Sequence, residues 1–193
     1  MASLMKLLAL VVLALGSGFG LEQALAPTST RYGTPVQEPA PATAEHKMLQ
    51  KLAGTWDAVL TMPGPSGEAM KSSGSMVTKK HSDYFVVDEF TADLMGQKFI
   101  GHGVHGYCPL QKKYFTHWSD SLSPTPLYAT GTYNEKTKEL VLTGECQGMS
   151  GKLEACRIVT HFVDEDHTAF DMYGAGPDGK EMHFLHIDYT RTK

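Results

Sequence analysis

The 193-residue chain reads as an all-β protein, an antiparallel up-and-down barrel of about ten strands with one short N-terminal helix. Three observations predict this. Strand-like runs recur at 54–62, 68–79, 84–94, 97–107, 112–119, 126–134, 139–146, 152–163, 168–174 and 181–191, at the spacing of sandwiches and barrels. Between them stand Pro63-Gly64-Pro65-Ser66-Gly67, Ser123-Pro124-Thr125, Asn134-Glu135-Lys136-Thr137 and Gly176-Pro177-Asp178-Gly179, the residue types tight turns need. None of these connections has room for a crossover helix, so successive strands pair antiparallel. Closing such a meander removes its exposed edges; a β-sandwich is the structural alternative.

The elements follow in order from the N-terminus. Lys6, the apolar run Leu7 to Leu15 and then Gly16-Ser17-Gly18-Phe19-Gly20 match the charged, apolar and small-residue regions of a secretory signal peptide over 1–20. The run is too short to span a bilayer, so the mature chain is expected to carry no integral membrane segment. Cleavage fits after Gly18 or Gly20, because Ala24-Leu25-Ala26 is followed by Pro27; a retained hydrophobic anchor is the alternative. Export to the periplasm or the extracellular space is the expectation. Residues 21–44 hold Pro27, Pro35, Pro39 and Pro41 among Ala and Thr and read as a disordered spacer. The barrel domain is assigned to 45–193. It opens on Met48, Leu49 and Leu52 at helical spacing, stopped by Gly54.

Composition narrows the function classes. A 41% hydrophobic share with 9% aromatic residues suffices for a core, and a net charge of -4 offers no basic footprint for nucleic acid. Nine histidines include the pairs His102/His105 and His183/His186. On a strand, residues three apart point to opposite faces, and no Cys-x-x-Cys or His-Glu-x-x-His is present, so no metal site is expected. Ser119, Ser121, His117 and Asp120 lie close together without a strained nucleophile turn, so an enzyme is not the favoured reading.

Two strands carry candidate ligand contacts. Tyr114, Thr116, Trp118 and Asp120 share one face of their strand; Trp118 and Asp120 supply the aromatic surface and polar group of a small-molecule pocket. In the last strand Phe184, His186 and Asp188 share a face by alternation, so that Asp188 would hold His186 with one nitrogen free for a ligand. In the opposite parity Leu185, Ile187 and Tyr189 face the core, and His183 and His186 decorate the rim or surface. Trp56 is expected to close the barrel base under the helix. Cys146 and Cys156 flank a Gly-containing turn, and in an exported protein they are candidates for a disulfide across a hairpin, if the register puts both sulfurs on one face. Cys108 is left as a small buried apolar residue.

Leu52-Ala53-Gly54-Thr55-Trp56, Gly101-His102-Gly103-Val104-His105-Gly106-Tyr107, Tyr114-Phe115-Thr116-His117-Trp118-Ser119-Asp120-Ser121 and Tyr189-Thr190-Arg191, in this order, resemble the DUF1579 family of uncharacterised lipocalin-like domains over about 45–193. The family pattern usually places Asp after the Gly-Tyr pair, where this chain has Cys108, so any role of that carboxylate is missing. The resemblance implies a barrel with an interior cavity and no particular reaction. The architecture is also similar to nitrobindin-like barrels, which bind haem through a late-strand histidine. The expected function is an exported protein binding a small apolar or amphipathic ligand in the barrel, with no cofactor. The alternatives are a haem-binding or enzymatic barrel using His186, and a module that binds another protein through its surface.

Overall fold

The computed structural model of the protein describes residues 38, 40–64, 67–148 and 150–192. The segment read as a signal peptide, and the spacer through residue 37, lie outside the described residues. Among the described residues one helix, α1 (Ala44–Gln50), precedes ten strands: β1 (Gly54–Pro63), β2 (Ala69–His81), β3 (Phe85–Leu94), β4 (Gln97–Cys108), β5 (Lys113–Asp120), β6 (Leu127–Asn134), β7 (Glu139–Gln147), β8 (Leu153–Phe162), β9 (His167–Ala175) and β10 (Glu181–Arg191). Each strand pairs antiparallel with the next, and β1 pairs with β10 to close the barrel. That last pairing decides against the sandwich, whose two sheets would keep their edges.

Strand alternation sorts the side chains. In β1, Trp56, Ala58 and Leu60 are buried while Thr55, Asp57 and Val59 are exposed, the period of a sheet with one wet face. The inner faces supply two apolar clusters. One gathers Leu49, Tyr114, Leu127, Ala129, Leu140, Leu142, Cys156 and Ile158, and the other Ala58, Leu60, Phe90, Ala92 and Ile187. Trp118 and Phe170 pack against both.

Helix α1 closes one end, the base, where it packs against β3 and β4. At seven residues it is too short to be stable alone, so tertiary contacts must hold it. Leu49 is almost wholly buried, contributing about 1.5–3 kcal/mol. His46, also buried, accepts the Thr43 backbone N–H at Nδ1, 3.0 Å. Its proton therefore sits on Nε2, which donates to the Tyr107 carbonyl at 3.1 Å and ties the helix to the end of β4. The opposite end, the mouth, is ringed by the turns that follow β1, β3, β5, β7 and β9.

The motif at the start of β1 has a physical reading in the seam. Arg191, opposite Trp56 in register, lays its guanidinium 4.0 Å from the centre of the Trp56 ring. The same group donates to the carbonyls of Ala53 and Lys51, each at 2.8 Å, and of Glu165 at 3.0 Å. Trp56 Nε1–H donates to Leu52 O at 2.9 Å. Gly54 has φ +148°, and a Cβ there would lie 2.3 Å from Arg191 Nη1, so only glycine lets the chain turn in under that side chain. Gly54→Ala is expected to cost about 1–3 kcal/mol. Arg191→Lys should also be destabilising, because an ammonium cannot reproduce the planar fork over three carbonyls and an indole. Urea unfolding of both variants checks this; wild-type midpoints would refute it.

Candidate functional site

The barrel lumen is the first candidate site. Trp118 points into it from β5, with Nε1–H donating to Asp120 Oδ2 at 3.1 Å. Asp120 Oδ1 accepts the backbone N–H groups of Leu122 at 2.9 Å and Ser123 at 3.1 Å, so this carboxylate pins both the indole and the turn at the mouth. The neighbouring strand β4 makes room for the ring. A Cβ on Gly101 would lie 2.2 Å from the indole and one on Gly103 3.2 Å from it, so these two glycines are the floor on which Trp118 lies. Although they face inward, Trp118, Phe170, Met172, Leu94, Phe99 and Leu185 are only half-buried. A packed core buries such residues; here solvent reaches them.

A polar group lies deeper in the lumen. Asp88 of β3 is buried, yet Thr78 Oγ1–H donates to its Oδ1 at 2.7 Å and His105 Nε2 meets its Oδ2 at 2.7 Å. Tyr189 is close by, its hydroxyl pKa raised first by burial and then by the Asp88 charge. The sequence considered alone offers His105 only as one of the His102/His105 pair and does not mark Asp88. The signal was present in the alternation Val86-Asp88-Phe90-Ala92, where one carboxylate stands in an otherwise apolar inward row.

His186 and Asp188 are positioned differently from Trp118 and Asp120. Leu185, Ile187 and Tyr189 pack inside, which leaves His186 and Asp188 on the outer wall, with His186 Nε2 3.1 Å from Asp188 Oδ1. Asp188 does hold His186, but the pair does not face the lumen, so a haem or substrate inside the barrel is out of its reach. Phe184 does not share their face: the register shifts between His183 and Leu185, and this bulge spends one residue without a partner.

The outer cluster is larger than the sequence indicated. Asp171 of β9 is buried beneath three imidazoles. His183 Nε2 and His186 Nδ1 lie 2.7 and 2.8 Å from its Oδ1, and His161 Nε2 lies 3.0 Å from its Oδ2. Burial opposes ionisation of Asp171, but hydrogen bonds from His186, His183 and His161 outweigh it and hold the pKa below its usual 3.8. Burial likewise opposes charge on His186, and Asp171 and Asp188 outweigh it, raising the pKa above 6.5.

Cys146 and Cys156, the two candidates for a disulfide, are free thiols in this structure, as is Cys108. Cys146 stands opposite Glu154 and Cys156 opposite Gly144, so the two sulfurs are diagonal neighbours and not directly opposed. Burial first, then Cys146, push the Cys156 thiol up to about 12.

Two expectations follow. Asp171 contributes stability that is present above pH 3.8 and lost as pH falls through its lower folded value; His186 contributes stability present below pH 6.5 and lost as pH rises through its higher one. The stability gap between the protein and Asp171→Asn, read from urea unfolding, should therefore be widest between pH 3.8 and 6.5 and narrow on both sides. Under reducing conditions at pH 8, Cys156 should resist alkylation until the barrel unfolds, because the thiolate is the nucleophile; peptide mass mapping of the labelled native protein reads this out.

The comparisons with known proteins agree with this geometry. The family described as "Protein of unknown function (DUF1579)" matches residues 41–191. No curated protein matches the chain. Among solved structures, Rv2717c from M. tuberculosis superposes with a TM-score of 0.61 at 13% identity, over 79% of this chain and 100% of that one. The S-type phycobiliprotein lyase CPES from Guillardia theta superposes with a TM-score of 0.52 at 10% identity, over 80% of this chain and 99% of the other. At such identities the shared property is the barrel itself. With its seam motif, its glycine-floored tryptophan and a family match across the whole barrel, the chain belongs to the DUF1579 family.

Proposed function

We propose that the protein binds a small apolar or amphipathic molecule in the barrel lumen, entering through the mouth opposite α1. The observation that carries this reading is Trp118: an inward aromatic on a floor of glycines, touching both apolar clusters and still partly exposed. Lumen-facing Phe170, Met172 and Leu185 extend that surface, and Asp88 with His105 gives a ligand's polar end something to meet. At the mouth, a cleft of about 600 Å³ is lined by Met62, Met70 and Met95 together with the polar Lys71, Ser72, Ser73 and Asp93, so adaptable thioethers stand at the rim. The phycobiliprotein lyase built on a similar barrel is in keeping with this use of the fold. The N-terminal sequence supports the further reading that the protein is exported.

The test uses an amphipathic anilinonaphthalene sulfonate dye as the probe. The wild-type protein should bind it saturably at one site, with energy transfer from tryptophan. Trp118→Ala should weaken binding about tenfold or more, in the range of a lost aromatic anchor, while the buried Trp56 keeps its emission. Non-saturable binding, or equal affinity in the variant, would overturn the lumen reading.

A further inference from the structure

The outer cluster on β8, β9 and β10 faces away from the lumen and takes no part in binding there. We propose that Asp171, His183 and His186 bind a divalent first-row transition ion of the Zn²⁺ class on the outer wall of the barrel. Their ligand atoms, one from each residue, lie within 4.8 Å of one another. His183 Nε2 and His186 Nδ1 both converge on one oxygen, Asp171 Oδ1, at 2.7 and 2.8 Å. A tetrahedral ion with bonds of about 2.0–2.2 Å separates its ligand atoms by roughly 3.4 Å. Seating an ion between the three groups therefore needs shifts of several tenths of an ångström, and His183, with 45% of its side chain exposed, is free to make them.

The donor set selects the ion. Two imidazoles and one carboxylate suit borderline metals such as Zn²⁺, Co²⁺ or Ni²⁺, whereas Mg²⁺ and Ca²⁺ prefer oxygen alone. The groups behind the ligands are also in place. His186 presents Nδ1 to the site while its Nε2 meets Asp188 at 3.1 Å, which fixes the ring's orientation. His161 holds the other Asp171 oxygen at 3.0 Å and is itself 3.3 Å from Glu139 Oε1. Tyr173 stacks on His183 with ring centres 4.7 Å apart, and Arg157 covers the far face of Tyr173 while paired with Glu181. Metal sites are built in this way, each ligand steadied by a partner that does not touch the ion.

Three protein ligands leave one tetrahedral position open. His183 and His186 line a cleft of about 240 Å³ together with Thr61, Met62, Pro63 and Leu185, so a water molecule or a small anion can complete the coordination. The bulge in β10 makes the site possible. Without the register shift between His183 and Leu185, one histidine of the pair would point into the lumen.

The experiment titrates Co²⁺ into the purified, chelator-treated protein and follows the visible d–d absorption, with Zn²⁺ binding measured by calorimetry and by displacement of Co²⁺. One ion per chain is expected, with the intense bands of a four-coordinate site. His183→Gln and His186→Gln should each lose affinity at least tenfold, and His102→Gln, on the outer face of β4, should not change it. His183→Gln removes a half-exposed side chain, and circular dichroism together with retained dye binding in the lumen shows that it folds. Absence of d–d bands and of Zn²⁺ heat, or equal affinity in wild type and His183→Gln, overturns the proposal. The dye result is independent of the metal result, so neither reading falls with the other.

Discussion

Closure of the sheet is the constraint from which the rest of this structure follows. Ten strands can meet edge to edge only if β1 and β10 are held in register, and the chain places a many-bonded arginine at that seam. Arg191 joins the end of β10 to the helix-to-strand junction before β1 and to the turn before β9, through three carbonyls and the face of Trp56. A single positive charge thereby satisfies acceptors from two stretches of chain that meet only when the barrel closes. Gly54 yields the space and Leu52 accepts the indole proton. The residues that carry the family resemblance at the two ends of the domain are thus one physical device.

Inside that frame the glycines of β4 and the bulge of β10 set where chemistry can occur. Gly101 and Gly103 give up two side chains so that one large ring can lie across the strand, and the lumen keeps accessible apolar surface beside a buried polar pair. The bulge acts on the opposite wall. It lets Leu185, Ile187 and Tyr189 fill the interior while His183 and His186 both turn outward over Asp171. One extra residue therefore separates apolar side chains within from a polar cluster outside.

Much of this was legible in the sequence because it depends on local rules. Strand positions follow from alternation and turn residues, and the tenth run, 181–191, coincides with β10. The inward set Tyr114, Thr116, Trp118 and Asp120 follows from the same period. What depends on register was not legible. No local pattern tells that His161 of β8 and His186 of β10 converge on Asp171 of β9, since a cross-strand partner is fixed only when the sheet closes. The diagonal offset of Cys146 and Cys156 is of the same kind. The bulge is an intermediate case. Apolar residues occupy even positions at Met182 and Phe184 and odd ones at Leu185, Ile187 and Tyr189, and that change of phase marks the extra residue. At His102 and His105 no such change occurs, and the two histidines face opposite sides.

The described domain begins and ends at the same pole. Ala40 accepts a hydrogen bond from the Tyr84 hydroxyl beside the β2–β3 turn, and Thr192 is bonded to Thr55 at the start of β1; both lie at the base. A surface, a carrier or a fused partner joined directly at Ala40 or at Thr192 would hold the barrel like a cup by its foot. Its rim would then stand away from the support, open to the surrounding solution.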